Sequence, residues 1–112
     1  MDQYSEELSG LFQALADPTR RAVLGQLSRA PASIGELARP FDMALPSFMK
    51  HIRLLEGCGL IRTQKTGRVR HCSIEPQRFA TIETWLSQQR AIWEGRADRL
   101  EHFVITMQDT SP

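Results

Sequence analysis

The chain lacks most of what would mark an enzyme, a secreted scaffold or a membrane protein. It has only two cysteines, Cys58 and Cys72, separated by thirteen residues and without a C-x-x-C pair. That argues against a disulfide framework and leaves free structural thiols as the plain reading. No apolar run approaches the roughly 18 residues needed to span a bilayer. The opening residues, Met1 to Glu7, are acidic and carry no apolar signal core, so the cytoplasm is the expected compartment. Low-complexity tracts and internal repeats are absent. So are H-E-x-x-H, a Gly-rich phosphate loop and any Ser/His/Asp arrangement in motif context, and catalysis is not expected.

What is present is ordinary in bulk and uneven in distribution. At 112 residues, 41% hydrophobic and 24% charged, a single domain spanning residues 1–112 with a modest core is expected. The formal net charge is +1. Between Pro46 and His71, however, six cations (Lys50, Arg53, Arg62, Lys65, Arg68 and Arg70) face the single acid Glu56, a net +5. The remaining eight cations and twelve acids leave −4 elsewhere. A basic block in an otherwise acidic chain is the footprint of a polyanionic partner.

Periodicity places that block on structure. Leu8, Leu11, Phe12 and Leu15 stand at helical spacing, predicting a first helix over 5–16. Asp17 is a candidate cap and Pro18 suits a first helical position, so a second helix is expected to run to about Arg29 and bury Val23, Leu24 and Leu27. Ser33 and Glu36 have the spacing of a capping box and open a short third helix through Ile34, Leu37 and Ala38. A tight link then leads to a helix over about 45–57. There Phe48, Ile52 and Leu55 form an apolar back, and Pro46, Lys50 and Arg53 the opposite face. Gly57 and Gly59 supply its stop. Two short helices joined this way have the shape of a helix-turn-helix.

Next, Leu60 to Lys65 and Arg68 to Ile74 flank a two-residue turn read as Thr66-Gly67, giving a hairpin over about 60–75. Directly after a basic helix, it reads as a DNA-contacting wing with Arg68 and Arg70 on one face near its tip. From about 76 to 107 a long helix is expected. Phe79, Ile82, Leu86, Trp93, Leu100, Val104 and Met107 make a seam along it at spacings of three, four or seven. About thirty residues of helix extend roughly 45 Å, more than so small a domain can cover, so a homodimer is expected, with Leu8 and Phe12 joining the interface. Gly95 is a candidate bend.

The stretches Phe12–Arg21, Ile34–Ala38, Lys50–Glu56, Gly59–Arg62 and Thr66–Arg68 together resemble the ArsR/SmtB-type winged-helix repressors, along the whole chain. The resemblance implies a mainly α fold with a β-hairpin, a winged helix-turn-helix and a long C-terminal dimerisation helix. It further implies a homodimeric repressor on an imperfect palindrome in double-stranded DNA at a promoter, commonly released by a ligand. On that footing Lys50 reaches a base edge or a phosphate. Ser47 and His51 flank it toward backbone oxygens, Arg53 meets a phosphate, and Arg68 and Arg70 follow the backbone or minor groove. Met49 replaces the small polar residue that many members carry and favours an apolar contact such as a thymine methyl. Ala44 stands where many carry a capping serine.

The sensing chemistry departs from the family. Metal-responsive members often place a C-x-C pair before the recognition helix, where thiolates suit soft ions, but Ser33–Arg39 contains no cysteine. Asp98 and His102, four apart beside Glu101, are too thin a set for a metal site. Cys58 and Cys72 do not occupy the positions of the family's dithiol sensors. No metal or cofactor is therefore expected, and the inducer is not readable. Two other readings stay open. One is a metal- or thiol-responsive repressor of the same kind; the other is a dimeric winged-helix interaction module without DNA binding, which the +5 block opposes.

Overall fold

Asp17 ends one helix and begins the next. The computed structural model describes residues 3–109, beginning with α1 (Gln3–Leu15) and α2 (Pro18–Arg29). Asp17 sits in extended backbone before Pro18, and its carboxylate accepts the Arg20 N–H at 3.0 Å. That hydrogen bond is the main cause holding its pKa below the ordinary 3.8; burial opposes it, and the Arg20 charge adds to it. A depressed folded-state pKa means that the charged cap stabilises the fold above the unfolded value and loses that contribution as pH falls through the folded one. Asp17→Asn keeps an acceptor but not the charge. Urea denaturation should therefore show a deficit of about 0.3–1 kcal/mol at neutral pH that closes in acid; a pH-independent deficit would discard the electrostatic account.

The next elements are β1 (Ala32–Ser33), α3 (Ile34–Ala38) and α4 (Leu45–Gly57). Ser33 caps α3 by accepting the Glu36 N–H at 3.2 Å, and its hydroxyl donates to the Glu36 carboxylate at 3.1 Å. In the link before α4, the Phe41 ring lies 5.5 Å from that of Phe48. Ala44 gives α4 no side-chain cap, and Pro46 occupies its first turn. At the other end, Gly59 N–H donates to Glu56 O at 3.0 Å and Leu60 N–H to Leu55 O at 3.1 Å, a Schellman stop. Gly59 has φ +83, and an added Cβ would lie 2.9 Å from Arg78 Cγ, so glycine is required there twice over.

Strands β2 (Ile61–Thr66) and β3 (Val69–Ile74) form the hairpin. Thr66 pairs with Val69, so the two turn residues are Gly67-Arg68 and not Thr66-Gly67 as expected. Gly67 has φ +62 and among the described residues only glycines take positive φ. That is the pattern of a turn with glycine at its first central position. The hairpin is also not alone: β1 pairs antiparallel with β3, Ala32 opposite Cys72, giving the order β1-β3-β2.

The chain divides into two compact units, Met1–Thr81 and Ile82–Pro112. In the first, the core is built from Leu8, Leu11, Ala14, Val23, Leu24, Leu27, Leu37, Phe48, Ile52, Leu55, Leu60, Ile61 and Cys72. α2 packs on β3 and α4, and α3 on β3. The second unit is helical, belonging to α5 (Pro76–Asp109), which runs through Gly95 without interruption. Much of its apolar seam is open: Trp93 is 70% and Leu100 65% exposed. Among the described residues no helix is long and apolar enough to cross a membrane.

Candidate nucleic-acid interface

α4 presents a buried back, an outward face and two flanks. Its back, Phe48, Ile52 and Leu55, is buried, which anchors the helix and leaves the opposite side outward. On that outer side Ser47, Lys50 and Arg53 are exposed, and among the described residues Lys50 and Arg53 make no ion pair. Met49, half-buried, borders this face on the hairpin side. It lines a recess of about 380 Å³ with Ile52, Arg53, Glu56, Thr63 and Arg70.

His51 borders the other side and is tied down. Its Nδ1 lies 3.1 Å from Arg20 Nη1 and 3.7 Å from Asp17 Oδ2. Guanidinium only donates, so Nδ1 accepts and the ring proton sits on Nε2. The same Arg20 donates from Nε to Ala14 O at 2.9 Å and from Nη2 to Gln13 O at 3.0 Å. Arg21 donates to Leu15 O at 2.7 Å. Two consecutive arginines thus donate to the last carbonyls of α1, of which Gln13 O also accepts the Ala16 N–H at 3.2 Å, and one of them also braces α4. His51, expected beside the DNA, therefore also has a structural role: it ties α4 to Arg20 of α2. The clue was Arg20, thirty-one residues away, and local spacing does not reveal such a partner.

The wing adds Lys65 and Arg68, both exposed and without ion pairs among the described residues. Arg68 lies in the turn, where it lines a recess with Ser33, Ile34, Gly35, Val69 and Arg70; it does not share a strand face with Arg70. Arg70, on β3, donates from Nη1 to Thr63 Oγ1 at 3.0 Å. Arg62 pairs with Glu75 at 3.5 Å, so one cation of the basic block is answered by an acid outside it.

The thiols stand apart from this surface. Cys58 is half-buried after the end of α4 and donates to Leu55 O at 3.4 Å; Cys72 is buried on β3. Burial pushes both thiols above their ordinary range, which disfavours the thiolate that oxidation and metal binding require. Asp98 and His102 are exposed on α5, and among the described residues no group of three or more His, Cys, Asp or Glu is placed to hold a metal. Of the residues expected at a dimer surface, Leu8 is only 7% exposed and belongs to the core of the first unit, whereas Phe12 is partly exposed. Phe79 is half-buried, and Leu86, Trp93, Leu100 and Val104 are open.

Comparison with known proteins agrees with this geometry. A helix-turn-helix domain family matches residues 15–64. The HTH-type transcriptional regulator Rv2034 of Mycobacterium tuberculosis is 34% identical over 77 residues, covering 69% of this chain and 72% of that protein. The transcriptional repressor SdpR of Bacillus subtilis is 25% identical over 79 residues, 70% of this chain and 88% of the relative. The crystal structure of an ArsR family transcriptional regulator superposes with a TM-score of 0.79 at 66% identity, over 84% of this chain and 97% of that one.

Proposed function

The chain belongs to the ArsR family of transcriptional regulators, and from that premise we propose that it is a homodimeric repressor binding an imperfect palindrome at a promoter. It is a regulator with a helix-turn-helix DNA-binding fold and not an enzyme. Repression is the action of one relative, SdpR. The observation that carries the DNA assignment is the outward face of α4, where Ser47, Lys50 and Arg53 stand exposed beside the wing cations Lys65, Arg68 and Arg70. In this reading residues 1–112 form one winged domain, Lys50 addresses a base edge, Met49 offers an apolar contact, and the remaining cations meet phosphate. α5 supplies the dimer seam through Leu86, Trp93, Leu100 and Val104; within the first unit, Phe12 and Phe79 are separate candidates for contact with a second copy.

Footprinting on the DNA upstream of the chain's own reading frame tests this. Protection of two half-sites about 34 Å apart is expected, one turn of duplex. With Arg53, Lys65, Arg68 and Arg70 on phosphate in each protomer, eight contacts give a slope of log affinity against log salt of about −7. Absent or salt-insensitive binding would favour an interaction module. Parallel arms with EDTA and with reductant address the metal- and thiol-responsive alternatives; the raised thiol pKa values favour no change in either. Lys50→Ala should keep the fold and weaken operator binding by about 1–3 kcal/mol; an unchanged gel-shift titration would reject the assigned face.

A further inference from the structure

Glu56 is the one acid in the basic block, and a carboxylate beside phosphate works against DNA affinity. Its contacts give it a task. One oxygen, Oε2, accepts the Thr63 N–H at 3.2 Å and also the Thr63 hydroxyl. With its proton given to Glu56, that hydroxyl accepts from Arg70 Nη1 at 3.0 Å. A hydroxyl has one proton and two lone pairs, and guanidinium only donates, so the direction of the relay is set: Arg70 to Thr63 to Glu56. It joins the last turn of α4 to β2 and then to β3. Arg70 spends one of its N–H donors on Thr63 and, among the described residues, has the others left for a ligand. The recess it lines also holds Arg53 and Met49 of the reading helix.

We propose that Glu56 and Thr63 are positioning residues for Arg70. They hold its guanidinium on the α4 side of the hairpin, so that wing and reading helix meet the DNA backbone at a set separation. The long arginine side chain then reaches its phosphate without first losing its rotamer freedom. This rests on the reading of α4 and the hairpin as the DNA face.

The test uses the full chain and a random-sequence duplex of about 30 base pairs, because phosphate contacts do not depend on sequence. Thr63→Val removes the bridging hydroxyl without changing charge or bulk. It should weaken binding about 3- to 10-fold and flatten the salt slope by up to about 2, the limit being the loss of one contact per protomer. Thr63→Ser should restore both. Added to Arg70→Ala, Thr63→Val should cost nothing more. Glu56→Ala gives a test of sign: loss of a negative charge alone would tighten binding, whereas loss of positioning weakens it. Far-UV circular dichroism confirms that each variant is folded.

Wild-type affinity and slope in Thr63→Val, with both reduced in Arg70→Ala, would overturn the positioning role and leave the DNA face standing. An unchanged slope in Arg70→Ala would remove Arg70 from that face, and the proposal with it.

Discussion

Replacing Leu100 by glutamate should produce a monomer whose affinity for duplex DNA is lower by about 100-fold or more, because two linked reading heads gain about 10²–10⁴ over one. Leu86, Trp93, Leu100 and Val104 stand at spacings of seven, seven and four along α5, each between 45% and 70% exposed. Ile92 and Phe103, also exposed, flank the same side and widen the stripe. Soluble monomers seldom leave a contiguous apolar patch of more than a few hundred Å² to water. A second copy covering it at about 800 Å² per partner would make a standard interface. In a two-fold dimer every substitution occurs twice on one self-complementary surface, so two carboxylates would enter the seam without partners, at several kcal/mol each. Sedimentation velocity reads the outcome directly, and a dimer that survives the substitution would remove this seam as the interface.

Phe48→Ala should be the most damaging single truncation in the first unit. Its ring is fully buried, and it faces the Phe41 ring of the link between α3 and α4. Deleting a buried phenylalanine costs about 3–5 kcal/mol, a transfer loss plus the cavity left behind. A domain of this size holds only about 5–15 kcal/mol in total. Urea denaturation followed by circular dichroism should show the midpoint falling steeply or the native baseline disappearing, with DNA binding lost in parallel. Lys50→Ala, two residues along and on the opposite face, separates the two effects by losing binding without losing structure. A cost below about 1 kcal/mol would mean that α4 is not held by its back.

The faces of α4 were legible in the sequence because both ends of each inference lie within one helix. Phe48, Ile52 and Leu55 repeat at helical spacing, and burial follows from that repeat. The stop at Gly59 was equally local. What escaped depended on partners far along the chain or on pattern degeneracy. β1 is two residues, Ala32 and Ser33, too short to show alternation, and it pairs with residues some forty positions on. The hairpin turn was displaced by one residue because glycine suits either central position of the tight turns. Leu8 and Phe12 share an apolar stripe, but periodicity does not say which of them a chain keeps for its own core. His51 stands beside Ser47 on a helical wheel, and only the distant Arg20 reveals that its ring is also tied to α2.

The three-stranded sheet has a further consequence. β1 covers only the middle of β3, at His71 and Cys72, and β2 forms the other margin of the sheet. Exposed strand margins are templates on which another chain can add itself, and such additions propagate into fibres. Here Lys65 and Arg62 lie along β2, and Arg68 and Arg70 lie beside the uncovered end of β3. Charge at these positions makes the approach of a second wing unfavourable, since it carries the same cations at the same places. A polyanion is drawn to the surface from which an identical wing is turned away, so the residues that would hold DNA also help keep the protein from polymerising before it gets there.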